Sequence, residues 1–462
     1  MNEKNYDIKE LMSLQQDFFD SQATKDVHFR IKQLKKLRSA IRTYRQDIID
    51  AIYKDFKKSE FEVLSSEIGV VMDELDIHIR KLRSWTRPKK IFPHLANFIS
   101  FDKIYHDPFG QVLIISPWNY PFNLAITPLI GAISGGNTVV LKPSEFSPNT
   151  SAIVKKIIQS FFEPKYIAVV EGDAKTARAL LDEKWNFIFF TGSPSIGKYV
   201  YQAAAKNLTP VVLELGGKSP VVIDKTADIS VAARRIVWGK FLNNGQTCIA
   251  PDYVLIAKDI LNDFIGKLKK EIEIFYGKNP QKSNDYARII NLKNFKRLQR
   301  TLGNQDIIIG GETNEADLYI SPTVVLNPDM DSELMQYEIF GPILPVITYE
   351  NKNEVEKIVG LYPNPLAFYI FSKDKKYQKY LIDKFAFGGG VINDVLVHFI
   401  NPRLPFGGVG NSGIGKYHGK YSFEAFTREK PVIRRKFFPD LPVRYLPVSE
   451  FKKKIIRWIF KI

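Results

Sequence analysis

Apolar positions in the first part of the chain recur at spacings of three and four. Ile31, Leu34, Leu37, Ala40, Ile41 and Tyr44 fall on one face of a helix over Ile31–Tyr44, and Ile48–Phe56 continues the pattern. Glu67–Trp85 reads as another helix, closed by Thr86-Arg87-Pro88. Between Thr86 and Pro108 the period is lost, Pro88, Pro93 and Pro108 interrupt it, and the segment is expected to be an irregular excursion to another part of the molecule.

A strand–helix alternation follows. Gln111–Ile115 and Thr138–Leu141 are strand-like and flank a helical stretch. Then come a helix near Thr150–Phe162, a strand at Ile167–Val170, a helix at Ala174–Asp182, a strand at Phe187–Phe190 and a helix opening near Ser195. The alternation resumes after Glu214 with Val221–Ile223, a helix over Ile229–Phe241 and further elements to about Val391. This order predicts parallel βαβ units in two adjacent α/β sheets, with Glu214 and Cys248 on the second sheet near its junction with the first.

Composition narrows the class. With 462 residues, 45% apolar and 25% charged, the chain is expected to be globular and to hold two or three domains. Its formal charge of +16 is spread along the chain among acids, without a nucleic-acid reader motif, so no nucleic-acid partner is expected. Gln111–Leu141 lacks charged residues, but Pro117, Pro121, Pro128 and Gly135-Gly136 break it into strand, loop and helix rather than one membrane span. The first residues lack the basic-then-apolar pattern of a signal peptide, and one cysteine excludes a disulfide framework; a reducing cytoplasm is the expected compartment.

That cysteine, Cys248, follows the polar turn Asn243-Asn-Gly-Gln-Thr247, a poor context for core filler, and suits a nucleophile. Glu214 sits in the apolar run Leu213-Glu-Leu215, where burial would raise its pKa toward that of a useful base. Gly192-Ser-Pro-Ser-Ile-Gly197 turns from a strand into a helix and offers a cradle for a phosphate; spacing alone also suits a tight turn. Lys142 and Glu145 follow a strand and are read either as ribose ligands or as a strand-end ion pair. None of the six histidines lies in a hydrolase-like motif, and no metal site is read.

Seven strings in order, Ser116-Pro-Trp-Asn-Tyr-Pro121, Leu141-Lys-Pro-Ser-Glu145, Phe189-Phe-Thr-Gly-Ser193, Glu214-Leu-Gly-Gly-Lys218, Gly245-Gln-Thr-Cys248, Glu338-Ile-Phe-Gly-Pro342 and Pro405-Phe-Gly-Gly-Val-Gly-Asn-Ser-Gly413, span most of the chain. With them the chain resembles the aldehyde dehydrogenase superfamily, class 3 type, acting on fatty and aromatic aldehydes. The resemblance implies a Rossmann-like nucleotide-binding domain (1–85 and 109–213), an α/β catalytic domain (214–390), a small β oligomerisation extension (86–108 and 391–440) and a tail (441–462). It implies Cys248 as nucleophile, Glu214 as activator of water and Asn119 as oxyanion donor. NAD, with NADP an alternative, would be held by Lys142, Glu145, Gly192, Ser193 and Gly197, and on its nicotinamide side by Glu338 and Phe340.

The 118 residues before Asn119, fewer than in tetrameric members, imply a homodimer. Glu214 favours hydrolysis over acyl transfer to coenzyme A, whose enzymes typically lack it. Tyr120, Phe122 and Phe399 are compatible with an apolar aldehyde, although ordinary core aromatics explain them as well. Finally, Phe451-Lys-Lys-Lys-Ile-Ile-Arg-Trp-Ile-Phe-Lys-Ile462 sets Phe451, Ile455, Trp458, Ile459 and Ile462 on one helical face and Lys453, Lys454, Arg457 and Lys461 on the other. Two roles stay open for it: packing on the body or the partner subunit, or docking on an anionic membrane surface.

Overall fold

The computed structural model describes residues 7–97, 100–440 and 442–461. Residues 1–6, on which the reading of the N-terminus rests, and Ile462 of the tail lie outside the described residues, as do positions 98, 99 and 441 within the excursion and tail.

The expected alternation is present. Ala174–Asp182 and Ile229–Phe241 are helices with those bounds, each begun by an aspartate, Asp173 or Asp228, whose carboxylate accepts N–H groups of the first turn. Gln111–Ile115, Thr138–Lys142, Ile167–Val169, Phe187–Thr191 and Val211–Glu214 form the parallel part of a six-stranded sheet, completed by the antiparallel Gly413–Ile414. A seven-stranded sheet includes Pro220–Ile223, Tyr253–Ala257, Thr323–Leu326, Ile343–Tyr349, Ala367–Phe371 and Gly389–Ile392, all mutually parallel, with Ile307–Ile309 antiparallel at one edge. Parallel strands need both faces covered, and their residues are correspondingly buried without alternation. The helix Asn123–Gly135 inside the charge-free stretch is buried over its whole length. Among the described residues no helix is long and apolar enough to cross a membrane.

Three expectations need correcting. Glu214 does not lie on the second sheet: it ends the strand Val211–Glu214 of the first, opposite Thr191 and Gly413. The apolar run around it continues into Gly216-Gly217, and the crossing between sheets happens there, ahead of Pro220. The excursion is not irregular, since Lys89–Ile91 pairs with Ser100–Pro108, which in turn pairs with Thr427–Arg435 in a separate three-stranded antiparallel sheet. Its prolines sit at strand ends, where the missing N–H is tolerated. The helix assigned to Glu67–Trp85 begins earlier, at Glu60, and passes through a π-turn at Leu64–Ile68 before Gly69–Trp85.

The tail is a helix over Glu450–Phe460. Ile455 and Ile459 are half-buried, Phe460 stacks on His94 at 6.1 Å, and Phe451 and Trp458 stay exposed.

Candidate active site

Parallel strands deliver their carboxyl ends to one edge of a sheet, and ligands of open α/β sheets gather there. On this edge of the six-stranded sheet, Gln111–Ile115 leads into the Asn119 loop, Thr138–Lys142 ends on Lys142, Phe187–Thr191 leads to Gly192, and Val211–Glu214 ends on Glu214. The register sets Ile115 beside both Lys142 and Phe190, and Thr191 beside Glu214. Facing them are loops that enter the second sheet: Asn243–Ala250 before Tyr253–Ala257, and Glu338–Pro342 before Ile343–Tyr349.

The Cys248 loop has an unusual backbone. Asn243, Asn244 and Gly245 are all left-handed, with φ of 50°, 54° and 73°. Asparagine tolerates that region better than most residues, and glycine is required at 245, where a Cβ would run into the Gly341 carbonyl. The turn is tied from every side. Gln246 donates to the carbonyls of Asn243 at 3.1 Å and Arg288 at 3.0 Å, and accepts the Ile290 N–H at 3.0 Å. Asn243 donates its side-chain amide to the carbonyls of Asn119 at 2.7 Å and Gln246 at 3.0 Å. The structure therefore joins Asn119 to the cysteine loop: its own amide donates to Gln246 O at 3.1 Å, and Tyr120 Oη meets Thr247 Oγ1 at 2.8 Å.

Cys248 itself is half-buried and free. Burial pushes its thiol pKa up, the Glu338 and Glu214 carboxylates add to that rise, and the N–H groups of Cys248 and Ile249 oppose it. Glu214 is buried, neither carboxylate oxygen has a hydrogen-bond partner, and desolvation holds its pKa well above the usual carboxylate range. An unpartnered buried carboxylate is costly, and such groups concentrate where chemistry is done. Glu338 is pushed up to about 8 by burial and by Asp252, against the Gly217 N–H; its Oε1 has no partner.

The helix Pro194–Ala205 opens at the exposed Ser193, whose hydroxyl accepts the Ile196 N–H. A Cβ on Gly192 would lie 2.5 Å from the Phe190 ring, and one on Gly197 2.5 Å from Leu215, so both glycines let this turn press onto the sheet. An open helix N-terminus over a close-packed glycine turn suits a phosphate, and the unpartnered Glu338 Oε1 is an acceptor waiting for a donor. These residues fit a dinucleotide. Lys142 and Glu145 pair with each other at 3.0 Å, and Lys142 also donates to Pro143 O. Phe340 adopts φ 51° and meets Trp118 edge-on at 5.2 Å. Phe122 is fully buried core, and Phe399 packs on Phe406 and His418. Among the described residues no group of three or more His, Cys, Asp or Glu side chains could hold a metal.

Sequence reasoning missed the supports. Lys218 pairs with Asp252 at 2.6 Å in the interior and donates to Tyr337 O, while Asp252 accepts the Ile339 N–H at 2.9 Å, which fixes the segment carrying Glu338. Lys218 stands within the string that holds Glu214, so its position in that motif was the available signal. Glu62 and Glu67, from the N-terminal helical region, also reach the site loops, and nothing in their local pattern distinguishes them from surface acids.

The sequence profile of the aldehyde dehydrogenase family matches residues 2–432, and the chain belongs to that family of oxidoreductases. It is 46% identical over 446 residues to 4,4'-diaponeurosporen-aldehyde dehydrogenase of Staphylococcus aureus (strain NCTC 8325 / PS 47), covering 96% of this chain and 97% of that one. It is 44% identical over 444 residues to aldehyde dehydrogenase family 3 member H1 of Arabidopsis thaliana, covering 95% and 92%. A structure described as the substrate-bound state of Staphylococcus aureus AldH superposes with a TM-score of 0.96 at 45% identity, over 98% of this chain and 100% of that one.

Proposed function

We propose that this aldehyde dehydrogenase oxidises an apolar aliphatic or aromatic aldehyde to its carboxylic acid with NAD as cofactor and NADP as an alternative, through an acyl-enzyme on Cys248. One observation carries this reading: a half-buried thiol, a carboxamide hydrogen-bonded into the thiol's own loop, and a buried carboxylate with no partner stand where the two sheets meet.

The Cys248 thiolate adds to the aldehyde carbon, and the carbonyl electrons move to oxygen. The Asn119 amide has a second N–H beside the one given to Gln246, and with the Cys248 N–H it stabilises that oxyanion. Lys142, Glu145, Gly192, Ser193, Gly197, Glu338 and Phe340 would hold the dinucleotide, which would supply the hydride acceptor that oxidation of the tetrahedral carbon requires. Glu214 takes a proton from water, the resulting hydroxide adds to the thioester, and collapse expels the Cys248 thiolate and releases the acid. The raised pKa of Glu214 makes its ionised form a stronger base than an ordinary glutamate. Trp118, stacked on Phe56 at 6.4 Å and edge-on to Phe340, supplies an apolar wall suited to such a substrate.

A nucleophilic thiol fits a reducing cytoplasm. A homodimer is supported by the three-stranded sheet, whose edge strand Thr427–Arg435 exposes Val432 and Ile433. The exposed Phe451 and Trp458 on the basic terminal helix support contact with an anionic membrane surface. The test is nicotinamide reduction with octanal and benzaldehyde: both should be oxidised by the protein and neither by Cys248→Ala. Activity retained in that variant rejects the mechanism.

A further inference from the structure

The helix that starts at Glu60 widens into a π-turn at Leu64–Ile68. On a regular α-helix, positions five apart lie about 140° apart around the axis. The wider turn brings Glu62 and Glu67 toward one side, and both are buried. Glu67 pairs with the buried Lys58 at 2.9 Å and accepts the N–H groups of Phe122 at 3.2 Å and Asn123 at 2.9 Å, which anchors the loop after Asn119. Glu62 reaches the other loop, where its Oε1 accepts the Asn243 N–H at 2.8 Å.

Asn243 is the hub of that loop. It donates to Asn119 O and Gln246 O, and Gln246 O also receives the Asn119 amide. Its backbone is left-handed, and Glu62 supplies the partner that its N–H meets. Burial pushes the Glu62 carboxyl up to about 7, against Lys58 and the Asn243 N–H. An apolar side chain would fill that space without desolvating a carboxylate, so what Glu62 contributes is its acceptor.

We propose that Glu62 is a positioning residue of the active site: by holding Asn243 it sets the Asn119 amide and the Cys248 loop so that their N–H groups converge on one oxyanion. This rests on the roles given above to Asn119 and Cys248. The experiment compares kcat and KM for aldehyde, and NADH affinity, in Glu62→Ala, Glu62→Asp, Glu62→Gln, Asn119→Ala and the Glu62→Ala/Asn119→Ala pair. Misplacing an oxyanion donor affects the transition state more than substrate binding. Glu62→Ala should therefore lower kcat on the order of 10- to 100-fold with KM and NADH affinity nearly unchanged. Glu62→Asp keeps the charge beside Lys58 but falls one methylene short, and should lose kcat similarly; it serves in place of the alanine variant should that fail to fold. Glu62→Gln still offers an oxygen to Asn243 and should recover most of the loss. The double variant should lose less than the product of the two single losses, because part of the Glu62 effect runs through Asn119. Wild-type kcat in Glu62→Ala or Glu62→Asp, or fully additive losses in the double variant, overturns the role of Glu62. Full activity in Asn119→Ala overturns instead the oxyanion site on which it rests.

Discussion

Asn119 donates its side-chain amide to the carbonyl of Gln246, 3.1 Å away and two residues before Cys248. The bond leaves one amide hydrogen for the oxyanion proposed above while tying Asn119 to the loop that carries Cys248. A donor fixed in this way would stabilise charge without reorganising as the charge forms.

If Glu214 serves the hydrolytic half of the cycle, removing its charge should separate the two halves. Glu214→Gln should show a first-turnover burst of reduced nicotinamide followed by turnover slowed on the order of 10²- to 10⁴-fold, as expected for loss of a general base. Stopped-flow absorbance reads both phases. Steady-state activity equal to the wild type would remove Glu214 from that role.

Glu338 gives a pH signature in stability. Its pKa rises from 4.5 to about 8 on folding, chiefly by desolvation, so the folded state holds the proton more tightly than the unfolded state. Its contribution is fully present below pH 4.5 and is lost as pH rises toward 8. Glu338→Gln cannot ionise, so its melting temperature relative to the wild type should rise across that window and level off above it. In unfolding free energy the change should be on the order of a few kcal/mol at most. Calorimetry at stepped pH checks this, and a difference that stays flat with pH would contradict it.

Much of this was legible from pattern because local and tertiary signals agreed. The helices Ala174–Asp182 and Ile229–Phe241 have aspartate caps and clear periods, and their bounds were read as they stand. Glu214 was assigned to the wrong sheet because an apolar run followed by two glycines does not tell which sheet claims it; only pairing with Phe187–Thr191 does. The excursion reads as irregular because Lys89–Ile91 is only three residues long and exposed, and Ser100–Pro108 is half-buried along most of its length without alternation, so no buried face marks either strand. Glu62 could not be found at all, since Ser59-Glu-Phe-Glu62 reads as the acidic first turn of a surface helix, and its partner Asn243 is far away in sequence.

Lys142 and Glu145 are already paired at 3.0 Å, which bears on cofactor choice. A carboxylate at a ribose site disfavours a 2′-phosphate through like-charge repulsion, and it also occupies the lysine that could receive that phosphate. Glu145→Gln should shift the ratio of kcat/KM for NADP over NAD upward by about tenfold, equivalent to about 1.4 kcal/mol. Lys142→Met should raise KM for both cofactors. An unchanged ratio in Glu145→Gln would place the 2′ position elsewhere.

The terminal helix carries the last prediction. Ile455 and Ile459 turn partly inward, so part of the sequence-derived apolar face is spent on packing. The helix is tied further by Lys452, which donates to Tyr445 O at 2.7 Å and Pro447 O at 2.8 Å, and by Phe460, which stacks on His94. What remains outward is Phe451 at 72% and Trp458 at 71% exposure, with Lys453, Lys454, Arg457 and Lys461 exposed beside them. Two large rings among cations suit the interface of an anionic bilayer, where each basic residue adds about 1 kcal/mol and salt screens the attraction. The full chain should co-sediment with phosphatidylserine-containing vesicles at low salt and be released as salt rises, and Trp458→Ala should weaken binding at every salt concentration. A chain cut after Glu450 should stay in the supernatant with its dehydrogenase activity intact. Equal sedimentation of the full and shortened chains would leave the helix with its packing role alone.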